Sequence, residues 1–323
     1  MRSLSVIIPN YNGESLVKDF LPSVLAALDN YDGPKELVFA DDCSTDGGVA
    51  LARRLADGRG WFKAVAAEKN GGFAATCNMG ARSASGEILF FLNNDVRLEP
   101  DYFTTFSGYF DDESVFALTP CGYSWYDNRQ IDGVKTVDWK GGFLRFTGNI
   151  YNDELKSTGR CLSFSVQGAY FFADRAKFFE LGGFDELYSP YIMEETDLAY
   201  RALKRGWKIV YGPEFKGYHR VGSSINSKTS RKTQIISARN RLLFAWKNLH
   251  SMPMLVWHCV CLGVRLLGFS PVQWAGVYRA LKMLGTVRVA RAQAKEQAVL
   301  TDRTLLDFYI PYFSGLRNGY GVR

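Results

Sequence analysis

An α/β fold built on a parallel sheet is what this sequence predicts. Two observations carry that expectation: short apolar runs alternate with segments of helical periodicity, and each run ends in a polar cluster. The run at 4–8 stops at Pro9-Asn10-Tyr11-Asn12-Gly13, so it reads as a buried strand entering a loop. Leu16, Phe20, Val24 and Leu28 then recur at helical spacing over 15–28. A second run at 36–40 closes on Asp41-Asp42-Cys43-Ser44-Thr45-Asp46-Gly47, with a helix expected over 48–56. A strand at 62–67, a helix at 72–84 and a strand at 88–92 follow, the last ending in Asn93-Asn94-Asp95. Right-handed crossovers would make the sheet mostly parallel and flank it with helices.

At 323 residues, 47% hydrophobic and 22% charged, the chain can bury a full core and suits one large domain with an appendage, or two modest ones. The 15% aromatic content fits a thick core or a cleft that stacks rings on flat ligands. Charge is uneven. Residues 1–215 hold 22 Lys/Arg against 30 Asp/Glu, and residues 216–323 hold 17 against 3. The basic last third points to an anionic partner: lipid, nucleic acid or a diphosphate-bearing substrate. Six cysteines without CxxC spacing imply neither a zinc knuckle nor a redox pair and read as reduced. The first apolar run is too short for a signal peptide, so cytoplasmic placement is expected.

Ligands of such sheets bind outside the carboxyl ends of the strands. Polar residues collect at all four ends: Asn10 and Asn12; Asp41, Asp42 and Asp46; Glu68 and Asn70; Asn93 and Asp95. One shared site is the simplest account. No GxGxxG follows the first strand and no GxxxxGK[ST] is present, which counts against a dinucleotide-binding domain and a P-loop.

The segments SVIIPNYNG (5–13), FADDCSTDGG (39–48), EKNGGFAATCNMGA (68–81), GEILFFLNNDV (86–96), GGFDELY (182–188), MEETDLAYRALKRGWKIVY (193–211) and GYHRVGSS (217–224) together resemble the family 2 glycosyltransferases, which have the GT-A fold. Bacterial rhamnosyltransferases of polysaccharide assembly look most similar. The resemblance implies a GT-A domain over 1–224, with a nucleotide-sugar-binding half at 1–115 and an acceptor and catalytic half at 116–224. Residues 225–323 form a basic, mainly helical C-terminal region.

Glycosyl transfer requires stabilising a departing nucleoside diphosphate, which a divalent cation, Mg²⁺ or Mn²⁺, does by charge neutralisation with only one or two protein ligands. By resemblance, Asp95 stands at the family's metal-side carboxylate. Asn93, in place of the first acid of that motif, suits ribose or phosphate hydrogen bonding, with Asn94 beside it. His219 would complete the metal shell or contact the diphosphate. Asp41 would accept a ring N–H of uracil, thymine or guanine, favouring a UDP-, dTDP- or GDP-sugar. Pro9 and Tyr11 would wall the base pocket, and Asn70, Gly71 and Gly72 would let backbone approach the donor ahead of a helix. Asp46 suits capping of the helix that follows it.

An inverting transfer also needs a base for the acceptor hydroxyl. Glu195 stands where the family places it, Glu194 is its rival, and Asp197 is spaced to pair with Arg201. The expected activity is an inverting, metal-dependent hexosyl or deoxyhexosyl transfer to a saccharide or lipid-linked acceptor in cell-surface polysaccharide or lipopolysaccharide assembly. The alternative is a catalytically silent GT-A scaffold, for which the departures at Asn93 and Glu195 are the support. Trp125, Tyr126, Trp139, Phe143 and Phe146 read either as acceptor-side stacking groups or as core. The apolar run 252–269 contains His258 and Arg265, so it is not expected to span a membrane. Leu262, Leu266 and Phe269 with Arg265, Arg279, Lys282, Arg288 and Arg291 fit helices on an anionic membrane surface, with a homo-oligomer interface as the other reading. No recognition motif accompanies the charge, which disfavours nucleic acid.

Overall fold

The computed structural model describes residues 1–155, 160–221 and 230–318. The expected boundary after residue 224 therefore lies outside the described residues. The chain opens with β1 (Leu4–Asn10), α1 (Glu14–Asp29), β2 (Lys35–Asp41), α2 (Gly48–Leu55), β3 (Phe62–Ala66), α3 (Phe73–Ser83) and β4 (Ile88–Leu92). Each element falls within two residues of its sequence expectation. β5 (Val96–Leu98), β6 (Val115–Ser124), β7 (Gln130–Asp132), the hairpin β8 (Val134–Lys140) and β9 (Phe143–Ile150), β10 (Cys161–Leu162) and β11 (Tyr170–Asp174) follow. Then come α4 (Arg175–Glu180), α5 (Glu194–Lys204), β12 (Lys208–His219), α6 (Arg231–Asn248), α7 (Met252–Leu266), α8 (Pro271–Leu281), α9 (Leu284–Gln297) and α10 (Asp302–Asn318).

The main sheet runs β10-β12-β6-β11-β4-β1-β2-β3. Its β4-β1-β2-β3 half is parallel, and β11 joins it antiparallel to β4. Buried strands covered on both faces read as continuous apolar runs, and period-two alternation then sorts their side chains. Val6, Ile8, Phe90 and Leu92 face one core, where Val17, Leu21 and Val24 of α1 cover them. Ile7, Leu89 and Phe91 face the other, against Cys77 and Ala81 of α3.

That second core continues into the C-terminal helices. Leu242, Leu243 and Phe244 of α6, Val277 of α8, Val287 of α9 and Tyr309 and Phe313 of α10 belong to it. The basic region thus shares a core with the rest of the chain, packing on α5 and the β8–β9 hairpin. A buried Lys204–Asp302 ion pair of 2.6 Å ties α5 to α10, and Tyr200 donates a 2.7 Å hydrogen bond to the same carboxylate.

The aromatic stretch divides. Phe146 packs on Phe164 and Phe244, Phe143 packs edge-on to His258, and Trp139 lies against the same core. Trp125 and Tyr126 are exposed. Of the five aromatics left open between acceptor side and core, three are therefore spent on packing, because α6 and α7 cover the β8–β9 hairpin. Leu262 and Leu266 likewise turn inward against the core, while Phe269 is exposed. Among the described residues no helix is long and apolar enough to cross a membrane.

Candidate active site

The polar residues at the strand ends form a connected set. Asn94 Nδ2 donates to Asn10 Oδ1 at 2.8 Å, and Asn10 Nδ2 donates to Asp41 Oδ1 at 2.8 Å. Asp41 also accepts from the Ser44 amide at 2.8 Å and the Ser44 hydroxyl at 2.6 Å. The ends of β4, β1 and β2 are stitched together in this way. Gly13 permits it: a Cβ there would lie 2.5 Å from Asn10 Oδ1. Pro9 is buried in β1 opposite Ala40, and Tyr11 projects beyond the strand end with its ring exposed. Asp46 joins α1 and α2, accepting from the Glu14 amide at 2.8 Å and the Gly48 amide at 3.0 Å.

The adjoining Asp42 does what the sequence did not signal. Its carboxylate accepts from the Gly71 amide at 2.7 Å and the Gly72 amide at 2.9 Å, while Asn70 Nδ2 reaches the Asp42 carbonyl at 3.4 Å. The amides that the sequence left open to a donor already have a carboxylate partner. Gly72 has φ of +84°, and a Cβ on it would lie 3.0 Å from the Pro190 carbonyl oxygen. Only glycine meets both demands without strain.

Asp95 is 1% exposed at the end of β4. The antiparallel pairing of β5 with the last residues of β12 sets His219 opposite Val96, and His219 Nε2 lies 3.3 Å from Asp95 Oδ1. Asn93 is fixed through its amide, which donates to the Ala169 carbonyl at 2.8 Å. Among the described residues no cluster of three or more His, Cys, Asp or Glu side chains forms a closed metal site. One carboxylate and one imidazole nonetheless fit a hard cation that takes its other oxygens from a diphosphate. Asp95 and His219 are the residues that would hold it, and the cation would supply neutralising charge to the leaving group.

The two candidate bases begin α5. Ile192 and Met193 precede them with φ of +78° and +90°, a left-handed conformation that side chains disfavour and that surrounding bonds must hold. Asn240 of α6 holds it, with Nδ2 donating to the carbonyls of Tyr188 at 2.7 Å, Tyr191 at 3.0 Å and Ile192 at 2.8 Å. Glu194 is 5% exposed, and its buried Oε2 has no hydrogen-bond partner among the described residues. Burial, and then the neighbouring Glu195 charge, push the Glu194 carboxyl up to about 8. Burial also raises Glu195, while the Lys135 charge acts in the opposite sense. Glu195 lies over Gly168, where a Cβ would stand 3.5 Å from its carboxyl. Beside that loop Gln167 Nε2 donates to Asp132 at 2.8 Å, and Asp132 pairs with Lys135.

Asp197 is set apart from the bases by its partners. It accepts from Arg201 at 2.7 Å, Lys247 at 2.8 Å, Asn248 at 2.7 Å and Tyr188 at 2.7 Å, and it is fully buried. The expected pair with Arg201 is present, within a larger network. Against the cost of burial, the Lys247 and Arg201 charges hold its carboxyl below the ordinary range. Lys135, Asn240 and Lys247 carry no local motif, and only their tertiary placement reveals them.

A parallel half-sheet whose strand ends gather one polar site, extended by mixed strands and a helical layer, defines a glycosyltransferase of the GT-A fold. The structure of GalNAc-T7 with UDP, GalNAc and Mn²⁺ superposes over 98% of this chain and 58% of that one, with a TM-score of 0.70 at 16% identity. The mannosyltransferase PcManGT of Pyrobaculum calidifontis, solved with GDP-Man and Mn²⁺, matches 98% of this chain and 84% of its own, with a TM-score of 0.55 at 20% identity. The chain belongs to glycosyl transferase family 2, whose model matches residues 5–174. It is 27% identical over 151 residues to the dodecaprenyl-phosphate galacturonate synthase of Rhizobium johnstonii, spanning 45% of this chain but only 43% of that relative. It is also 27% identical over 243 residues to the putative teichuronic acid biosynthesis glycosyltransferase TuaG of Bacillus subtilis, covering 72% of this chain and 86% of that one.

Proposed function

We propose that this glycosyltransferase is an inverting enzyme that moves a hexosyl or deoxyhexosyl group from a UDP-, dTDP- or GDP-sugar to an acceptor hydroxyl, in assembly of a cell-surface polysaccharide or lipopolysaccharide. The observation that carries it is the convergence of Asp95 and His219, 3.3 Å apart, at the strand ends where Asn10, Asp41 and Asn94 are already joined. Asp41, Pro9 and Tyr11 bind the base, and Asn70, Gly71, Gly72, Asn93 and Asn94 shape the donor side. Glu195 takes the proton of the acceptor hydroxyl as that oxygen attacks the anomeric carbon, and Glu194 keeps its own proton at neutral pH. A divalent cation, when bound, neutralises the departing diphosphate.

The names of two relatives support the acceptor side of this reading: one is named for dodecaprenyl phosphate and the other for teichuronic acid biosynthesis. The acceptor is accordingly read as a saccharide or a lipid-linked saccharide, with the enzyme peripheral on the inner face of the membrane. Thermal shift of the protein against UDP-, dTDP- and GDP-sugars with Mn²⁺ or Mg²⁺, followed by nucleoside diphosphate release, tests the donor. Turnover of Asp95→Ala at the unsubstituted rate would overturn the assignment of the site.

A further inference from the structure

α7 departs from the other C-terminal helices. Of its fifteen residues His258 is the buried one. Met252, Val256, Val260 and Val264 recur every fourth residue along its outer side and are each at least 50% exposed, and Leu267 and Phe269 prolong the stripe. Trp257 flanks it, and the exposed Trp274, Tyr278 and Leu281 of α8 carry it onward. A helix apolar on nearly all sides is ordinarily covered. An exposed apolar patch of this extent marks a contact surface.

The charge around the patch says what covers it. Residues 249–295 contain no Asp or Glu, and they contain Arg265, Arg279, Lys282, Arg288, Arg291 and Lys295. A second copy laid on this face would bring Arg265, Arg279 and Lys282 of two chains together with no acid in the patch to neutralise them. Apolar stripe, tryptophan and tyrosine flanks and an acid-free basic rim are together the chemistry of an interfacial helix on anionic lipid.

We propose that α7 is an interfacial anchor: it lies in the plane of an anionic bilayer with the Met252–Val256–Val260–Val264 stripe among the acyl chains and the neighbouring cations on lipid phosphates. This rests on the reading of a lipid-linked acceptor and goes further, because it requires insertion of one helix face rather than attraction of a basic surface. The anchor is firmly seated. Trp246 Nε1 donates to His258 Nε2 at 3.2 Å, which leaves Nδ1 to donate to the Gly142 carbonyl at 2.7 Å. Arg265 donates to the Gly141 carbonyl at 3.2 Å and stacks over Phe143, 4.5 Å from the ring centre. The β8–β9 hairpin so gripped carries Lys135 on its first strand, beside the loop under Glu195. A bilayer holding α7 therefore sets the height of the acceptor side above the lipid.

The test uses the full chain and the variant Val256→Asp/Val260→Asp/Val264→Asp, whose positions are exposed enough to leave the fold intact. Sedimentation with phosphatidylglycerol-rich vesicles, phosphatidylcholine vesicles and no vesicles is read beside light scattering, with tryptophan quenching by lipids brominated on the acyl chain. The expected results are binding to the anionic vesicles, acyl-chain quenching, and at least about tenfold weaker binding by the variant. Donor affinity and circular dichroism should be unchanged. Absence of binding overturns the anchor, and equal binding by the variant reduces it to surface attraction. A lipid-free dimer that the variant dissociates assigns the face to a second copy instead. Because donor turnover is measured separately, loss of the anchor leaves the transferase reading standing, and loss of turnover leaves the anchor standing.

Discussion

His219 Nε2 lies 3.3 Å from Asp95 Oδ1, although 124 positions of chain numbering separate the two residues; the β5–β12 pairing and the Arg220 amide, which donates to the Asp95 carbonyl at 3.0 Å, bring them together. If both hold the cation, Asp95→Ala lowers nucleoside diphosphate release by about 10²- to 10³-fold. His219→Ala costs less, about tenfold, and raises the Mn²⁺ concentration that gives half-maximal rate. Chelation by EDTA abolishes turnover of the unsubstituted enzyme. An unaltered Mn²⁺ midpoint in His219→Ala would exclude the imidazole from the cation's shell.

The two acids at the start of α5 predict a pH profile. Burial raises both carboxyls, and the base must be ionised to work, so the acid limb of the rate lies above the ordinary carboxylate range. Glu195→Gln removes transfer by about 10³-fold and leaves donor binding unchanged. Glu194 is still protonated as Glu195 ionises, so Glu194→Gln swaps one neutral group for another and should leave the acid limb in place. If Glu194→Gln is the inactive variant instead, the base is one residue earlier. Stability supplies a second readout. Glu194 retains a proton in the fold that it loses in the unfolded chain, so stability falls as pH rises from 4.5 through about 8. In Glu194→Gln that decline should shrink in thermal melts across the same window.

Asp197 and Lys247 form a buried pair of 2.8 Å that also touches Arg201. Lys247→Met leaves a carboxylate short of a charge partner and should cost about 3–5 kcal/mol in denaturant unfolding. The sign with pH is opposite to that of Glu194. Asp197 is held below its ordinary value, so its contribution is present above the unfolded value of 3.8 and is lost as pH falls below it. A Lys247→Met protein as stable as the parent would show that the network is not needed.

Asp42 ties the Gly71 and Gly72 amides to the end of β2. Asp42→Ala leaves both amides without their acceptor and should cost about 1.5–3 kcal/mol. It should also weaken donor affinity by titration calorimetry more than it slows turnover of bound donor. Equal affinity would mean that this loop does not border the donor.

The parallel half of the fold was legible because its signals are local. Apolar runs such as 88–92, helical periodicity such as Leu16 to Leu28, and Asp46 ahead of a helix each act within one or two turns of chain. Asp95 and Asp41 could be picked out for the same reason, as polar residues at strand ends. What stayed hidden depends on distant partners. Asp42 looks like Asp41 until the loop at Gly71 folds over it, and Asn240 is an ordinary helix residue until the carbonyls of Tyr188, Tyr191 and Ile192 meet it. Phe143 and Phe146 offered no means of choosing between cleft and core, because that choice belongs to the helices that cover their hairpin.

The grip of Asn240 on the turn before Glu194 also has a bearing on synthesis. The strained turn and the Asp197 network both wait for α6, the first through Asn240 and the second through Lys247 and Asn248. On the ribosome the acids at the start of α5 cannot be held by these bonds until the chain has grown past Asn248.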